Sequence, residues 1–272
     1  MLNKEEYEEP VCPLCPPDRG VKPIDASRML TRLDALLDKN DIPAARRHLD
    51  FWLAEAENGN DIRGRITVLN EQMGLFRKCG MEKEAKAAAL AAEEAIVRGG
   101  LTDTLSAATV RLNHATVCAA FGDLAEAISL YRSALTVYEK ELSPTDTRIA
   151  ALQNNLAAAL VQTGEYDEAS ERYRAALAIV ERTPEGYPDA AITYLNLADL
   201  SVAARGSEDA AEEITEYCLT ADARLSDPRV PNDGYLAFVA DKCASAFRFH
   251  GFFRLAEKYA ALSARLYGGE QK

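Results

Sequence analysis

The sequence predicts an all-helical solenoid of six antiparallel helix pairs, and three observations lead there. Apolar residues recur at steps of three and four rather than alternating, a turn residue precedes alanine by five positions at intervals near 42 residues, and 48 % of the 272 residues are hydrophobic against 27 % charged. The spacing marks a buried helix face, the interval marks an array that grows by repetition, and the composition supplies a continuous core.

The units follow in order. Asn40 leads to Ala45, Leu49 and Trp52, Gly80 to Ala85, Ala89 and Ala92, and Gly122 to Ala127, Tyr131 and Ala134. Gly164 leads to Ala169, Tyr173 and Ala176, Gly206 to Ala211 and Cys218, and Gly251 to Ala256, Ala260 and Ser263. Alanine-to-alanine steps of 40, 42, 42, 42 and 45 place length changes in the connections. Each turn divides two helices. After Gly122 the stripe is Ala127, Ile128, Tyr131, Ala134, Leu135 and Tyr138, and before Gly164 it is Leu152, Leu156, Ala159 and Leu160. The glycine suits the left-handed end of the first helix, while Ala157, Ala169 and Ala176 permit close approach and Tyr166 and Tyr173 fill space between pairs. Segments 142–146, 183–189 and 226–234 read as helix stops followed by N-caps. The units run about 24–60, 61–101, 102–143, 144–185, 186–228 and 229–268, with a short tail at 269–272. Residues 1–23, acidic and holding five of 11 prolines, read as a flexible tail.

Paired helices with this spacing resemble the tetratricopeptide repeat, and the 42-residue period with Asn154-Asn155-Leu156-Ala157 resembles the kinesin light chain variety. The resemblance implies a right-handed superhelix whose first helices line a concave groove for peptides or partner proteins. In peptide-binding relatives, asparagines on this face grip the ligand main chain. An amide suits that task because it donates to C=O and accepts from N–H at once. Asn113 and Asn155 both stand nine residues before their turn glycine, and Asn196 matches them once one extra residue is allowed. In the fourth unit Asn155 shares the stripe beside the core face with Ala151, Ala158 and Gln162, and Asn154 is its neighbour in sequence. The alternative is that these amides bridge or cap helices within the repeat. Arg77, Lys78, Lys242 and Arg248 are candidate basic points in the groove for a ligand's carboxylates, or else solvated charges worth little.

Composition and motifs narrow the rest. A net charge of −12 disfavours nucleic acid and anionic membrane. The acidic amino terminus lacks a secretory signal, and scattered cysteines fit a reducing compartment, so cytoplasm is the expectation. Cys12-Pro-Leu-Cys15 is half of a zinc knuckle with the other half missing. Cys79, Cys118, Cys218 and Cys243 are expected at or next to helix-packing positions. His114 is expected to face the core and His48 and His250 to lie near turns, none with a ligand-spaced partner. No phosphate loop, dinucleotide fingerprint, HExxH or GxSxG elbow occurs, so no catalysis and no cofactor are expected. The expected function is a scaffold for a protein or peptide, against a peptide-responsive regulator or a metal-linked assembly through the tail cysteines. Phe252, Phe253, Leu255, Leu262, Leu266 and Tyr267 are hard to cover all at once in the last unit, so self-association, as a homodimer, or docking of a partner through this end is expected.

Overall fold

The computed structural model describes residues 20–269, within which there are twelve α-helices and no strand. The helices form six consecutive pairs, as the periodicity requires. The described residues divide into two compact units, the first ending at Glu141 and the second beginning at Leu142. The acidic tail expected to be flexible lies almost wholly outside the described residues, and Cys12 and Cys15 with it.

Unit 1 contains α1 (Ala26–Leu37), α2 (Ile42–Asn58), α3 (Ile62–Lys78), α4 (Glu82–Arg98), α5 (Leu105–Ala120) and α6 (Leu124–Glu141). Each first helix packs on its partner and on the helices of the preceding pair: α3 against α2 and α4, and α5 against α3, α4 and α6. The repeat alanines Ala45, Ala85, Ala89 and Ala92 are fully buried and set the close helix approach. Tyr131 and Tyr138 of α6 are buried too, and their phenols find hydroxyl partners on α5. Tyr131 Oη lies 3.2 Å from Thr116 Oγ1 and Tyr138 Oη 2.9 Å from Thr109 Oγ1. Those bonds let a large ring be buried without stranding its polar end.

Unit 2 contains α7 (Thr147–Thr163), α8 (Tyr166–Val180), α9 (Tyr187–Arg205), α10 (Ala211–Leu225), α11 (Gly234–Phe249) and α12 (Phe253–Gly269), with a 3₁₀ turn at Pro184–Gly186. The first helices sit side by side, α7 against α9 and α9 against α11. Leu152, Leu156, Leu160, Ala169, Ala176 and Phe247 are fully buried. Each large apolar side chain so removed from water contributes about 1.5–3 kcal/mol.

Every turn residue of the repeat has positive φ. Gly164 closes α7 at φ 83°, and Asn40 does the same for α1 at φ 53°. Asparagine is the residue besides glycine that tolerates this region, which explains its presence at the head of the first motif. Asp25, Asp41, Asp61, Thr104, Asp146 and Asp233 cap helices by accepting from backbone amides two or three residues on. The 183–189 segment departs from the expected cap: it forms the 3₁₀ turn, no side chain caps α9, and Asp189 falls inside that helix.

The fifth pair also departs from its expected register. Ala211 is exposed, and the core positions of α10 are Ile214, Cys218, Ala221 and Leu225. Residues between Gly206 and α10 form an extra turn, so the insertion sits between the two helices rather than between pairs. At the end of unit 2, Phe253 and Tyr267 are exposed, whereas Phe252, Leu255, Leu262 and Leu266 pack partly against the core.

Candidate functional site

The three first helices of unit 2 leave between them a cavity of about 390 Å³. Helix α7 contributes Ala151, Asn154, Asn155 and Ala158, a strip of small and amide side chains that falls on one face at steps of three and four. Helix α9 contributes Asp189, Ile192 and Asn196, and α11 contributes Tyr235, Phe238 and Lys242. Four of the residues singled out from sequence, Asn154, Asn155, Asn196 and Lys242, thus meet at one hollow.

Their states differ. Asn155 is exposed and Asn196 half-buried, both on the cavity wall. Asn154 Nδ2 donates to Thr193 Oγ1 at 2.8 Å, and Thr193, fully buried, donates in turn to Asp189 O at 2.8 Å. Asn154 Oδ1 is buried with no hydrogen-bond partner. Asn154 therefore ties α7 to α9, the bridging role that was the alternative to a clamp. Lys242 holds its ammonium 4.6 Å from the centroid of the Phe238 ring, within cation–π range.

Asp189 supplies the cavity's negative charge. Burial pushes its carboxyl above the ordinary value, against the hydrogen bond donated by Tyr235 Oη and the nearby Lys242 cation. The Tyr235 phenol is pushed up in turn by burial and by that carboxylate. An acid, a cation, two rings and two amides thus face one space. Asp189, Tyr235 and Phe238 were not anticipated. The signal available for the rings was Tyr235, Phe238 and Lys242 at one helical face of α11; nothing local marked Asp189.

The remaining candidates lie elsewhere. Asn113, on α5 of unit 1, donates through Nδ2 to Asn70 Oδ1 of α3 at 2.6 Å, an intra-array bridge. Gln162 is exposed and turns back on its own helix, donating to Ala158 O at 3.4 Å, and neither it nor Arg248 lines the cavity. Arg77 and Lys78 occupy the last turn of α3 in unit 1. Arg77 is close enough to Tyr131 to oppose the rise that burial imposes on that phenol. A second hollow in unit 1, about 820 Å³ and lined by Arg28, Arg32, His48, Phe51 and Trp52, was not read from the sequence.

Cysteine and histidine also need correction. Cys118, Cys218 and Cys243 are buried as expected, but Cys79 is exposed. Burial pushes the Cys218 and Cys243 thiols up to about 12, so they stay protonated. His48 sits inside α2, its Nε2 2.9 Å from Met29 O. His250 Nε2 lies 2.9 Å from Asp199 Oδ1, near in distance but out of line for a hydrogen bond. His114 is buried, yet it has Cys118 and Glu126 within ligand reach.

A family model described as tetratricopeptide repeat matches residues 103–181 and again 148–222. Residues 103–222 are tetratricopeptide repeats. The tetratricopeptide fold extends beyond them: the chain is similar to the crystal structure of BtubC (BKLC) from P. vanneervenii, at 19 % identity over 85 % of this chain and 91 % of that one, TM-score 0.54. It is similar also to nearly identical TPR-like repeats of kinesin light chain type from Podosopora anserina, at 19 % identity over 76 % of this chain and 97 % of that one, TM-score 0.51. At these identities the likeness concerns the tetratricopeptide fold alone. No curated protein sequence matches the chain. Among the described residues no helix is long and apolar enough to cross a membrane.

Proposed function

We propose that this tetratricopeptide chain is a non-catalytic adaptor that holds an extended segment of a protein partner in the cavity of unit 2. The observation that carries the reading is the pair of cavity-facing amides, Asn155 on α7 and Asn196 on α9, set opposite Tyr235 and Phe238 of α11. A helical ligand has its main-chain groups already bonded within itself, whereas an extended one presents N–H and C=O groups that such amides match. Small residues Ala151 and Ala158 leave the wall low enough for a backbone to approach, and the rings give neighbouring side chains an apolar surface. Lys242 offers its charge to an acidic side chain of the segment, in competition with Asp189, on whose carboxyl it already acts.

The test is selection of short random peptides displayed on phage against the full chain, followed by calorimetric titration of the selected peptide. Asn155→Ala and Asn196→Ala should each weaken binding by about 0.5–1.5 kcal/mol, the value of one hydrogen bond, with little change in melting. Asn113→Ala should leave binding unchanged, because that amide is committed to Asn70. Undiminished affinity in the Asn155→Ala plus Asn196→Ala chain would refute the groove.

A further inference from the structure

In the fourth repeat the buried first-helix positions Leu156 and Leu160 are fully enclosed leucines, one turn apart. The 42-residue period places His114 and Cys118 at the same two positions of the third repeat. Both are buried, at 5 % and 1 % exposure. Imidazole and thiol in place of a leucine pair put polar, metal-ligating atoms at the centre of a helix pair.

The turn after α5 brings Glu126, in the first turn of α6, back over this face. A ring nitrogen of His114, Cys118 Sγ and a Glu126 oxygen all lie within 4.8 Å of one another. Independently, His114 Nδ1 is buried without a hydrogen-bond partner, and so is Glu93 Oε1 of α4, which faces it at 3.7 Å. That separation is too long for a hydrogen bond, and buried side-chain atoms left unpaired are rare enough to demand a cause. Arg111 Nε, 3.9 Å from Glu93 Oε2, accounts for the other oxygen only.

We propose that His114, Cys118 and Glu126 bind a divalent transition-metal ion of the zinc class, fastening α5 to α6. Imidazole, thiolate and carboxylate together are the borderline-soft donor set that zinc takes. Ligand atoms around a tetrahedral zinc lie about 3.3–3.7 Å apart, given bonds near 2.0–2.3 Å, so the three close in by about 1 Å on binding. The thiol proton leaves to solvent as the sulfur becomes a ligand. Glu126 is exposed, which gives the ion a path in and leaves a fourth position for water. Glu93, now 3.7 Å from Nδ1, would orient the imidazole once the ring shifts into hydrogen-bond range, which leaves Nε2 for the ion.

The experiment uses the full chain carrying Cys12→Ser and Cys15→Ser, which removes the competing thiols of the tail. After chelator treatment it is titrated with Co²⁺, and the thiolate-to-cobalt charge-transfer band and tetrahedral d–d bands are recorded. We expect one Co²⁺ per chain, displaced by one Zn²⁺. Glu126→Gln, at an exposed position that does not threaten folding, should weaken zinc binding at least tenfold. His114→Leu plus Cys118→Leu, which installs the fourth repeat's own pair, should fold and show no band. Absence of a charge-transfer band in the Cys12→Ser, Cys15→Ser chain, or a band undiminished in the double-leucine chain, overturns the proposal.

Discussion

Thr193→Val is the sharpest probe of the bridge between α7 and α9. Valine keeps the shape of threonine but removes the hydroxyl that accepts from Asn154 Nδ2 at 2.8 Å. Asn154 Oδ1 already lacks a partner, so the substitution leaves that amide with neither end bonded. An unsatisfied buried donor costs about 1–3 kcal/mol, the lower part of that range for the half-buried Asn154, and the added methyl returns up to about 0.8 kcal/mol, for a net loss near 1 kcal/mol. Asn154→Ala behaves differently. It forfeits one bond worth about 1 kcal/mol but also removes the stranded Oδ1, so its net cost is about 0–1 kcal/mol. In the double variant no donor remains to be stranded, and it should be more stable than Thr193→Val alone, with a coupling of about 1–2 kcal/mol. Thermal melting of the four chains reads this directly, since about 1 kcal/mol moves the midpoint by about 2–4 °C at such a size. If the two single costs simply add, or if Thr193→Val is no worse than Asn154→Ala, the amide is not a bridge and belongs with Asn155 on the ligand wall.

Three shorter predictions accompany it. Gly164→Ala puts a side chain at φ 83° in open space and should cost about 1–2 kcal/mol; Gly186→Ala, whose Cβ would meet Val180 O at 2.1 Å, should melt lower still, and the reverse order would show that the 3₁₀ turn does not pack closely on α8. Burial pushes the Asp222 carboxyl up, but hydrogen bonds from Lys258, Tyr259 and Ser226 more than offset it and hold it below its ordinary 3.8. Its stabilisation is therefore complete above the unfolded value and lost as pH falls through the folded one, so Asp222→Asn should flatten the acid limb of a stability profile, and an unaltered limb would refute the network. Leu262→Glu plus Leu266→Glu should abolish any self-association seen by sedimentation; a wild-type chain that stays monomeric at high micromolar concentration excludes association through α12.

Local chemistry made the pairing legible. A turn residue that must adopt positive φ, an alanine where two helices touch and an aromatic four positions on are constraints that act within one turn of helix, so they recur visibly. Asn40 could stand for glycine without blurring the pattern because both tolerate the same backbone region. The fifth pair misled because Ala211 has the right residue type at the right offset from Gly206, while the burial that decides register belongs to Ile214 and Cys218. The site was half legible for a related reason. Position along the repeat put Asn155, Asn196 and Lys242 on one face, but whether an amide is spare depends on partners far along the chain: Asn113 on Asn70, Asn154 on Thr193. Asp189 escaped altogether, since its partner Tyr235 sits two helices away.

Those same long-range bonds have a mechanical meaning. Apolar contacts between stacked helices resist separation but tolerate sliding, because dispersion and hydrophobic burial carry little directional preference. A hydrogen bond is directional and weakens steeply when bent. Asn70 to Asn113 fixes α3 against α5, Asn154 to Thr193 fixes α7 against α9, and Tyr235 to Asp189 fixes α9 against α11. Inside each unit these bonds act as shear pins: load applied along the first-helix surface is met by stiffness rather than creep, and neighbouring repeats tilt together instead of slipping past one another.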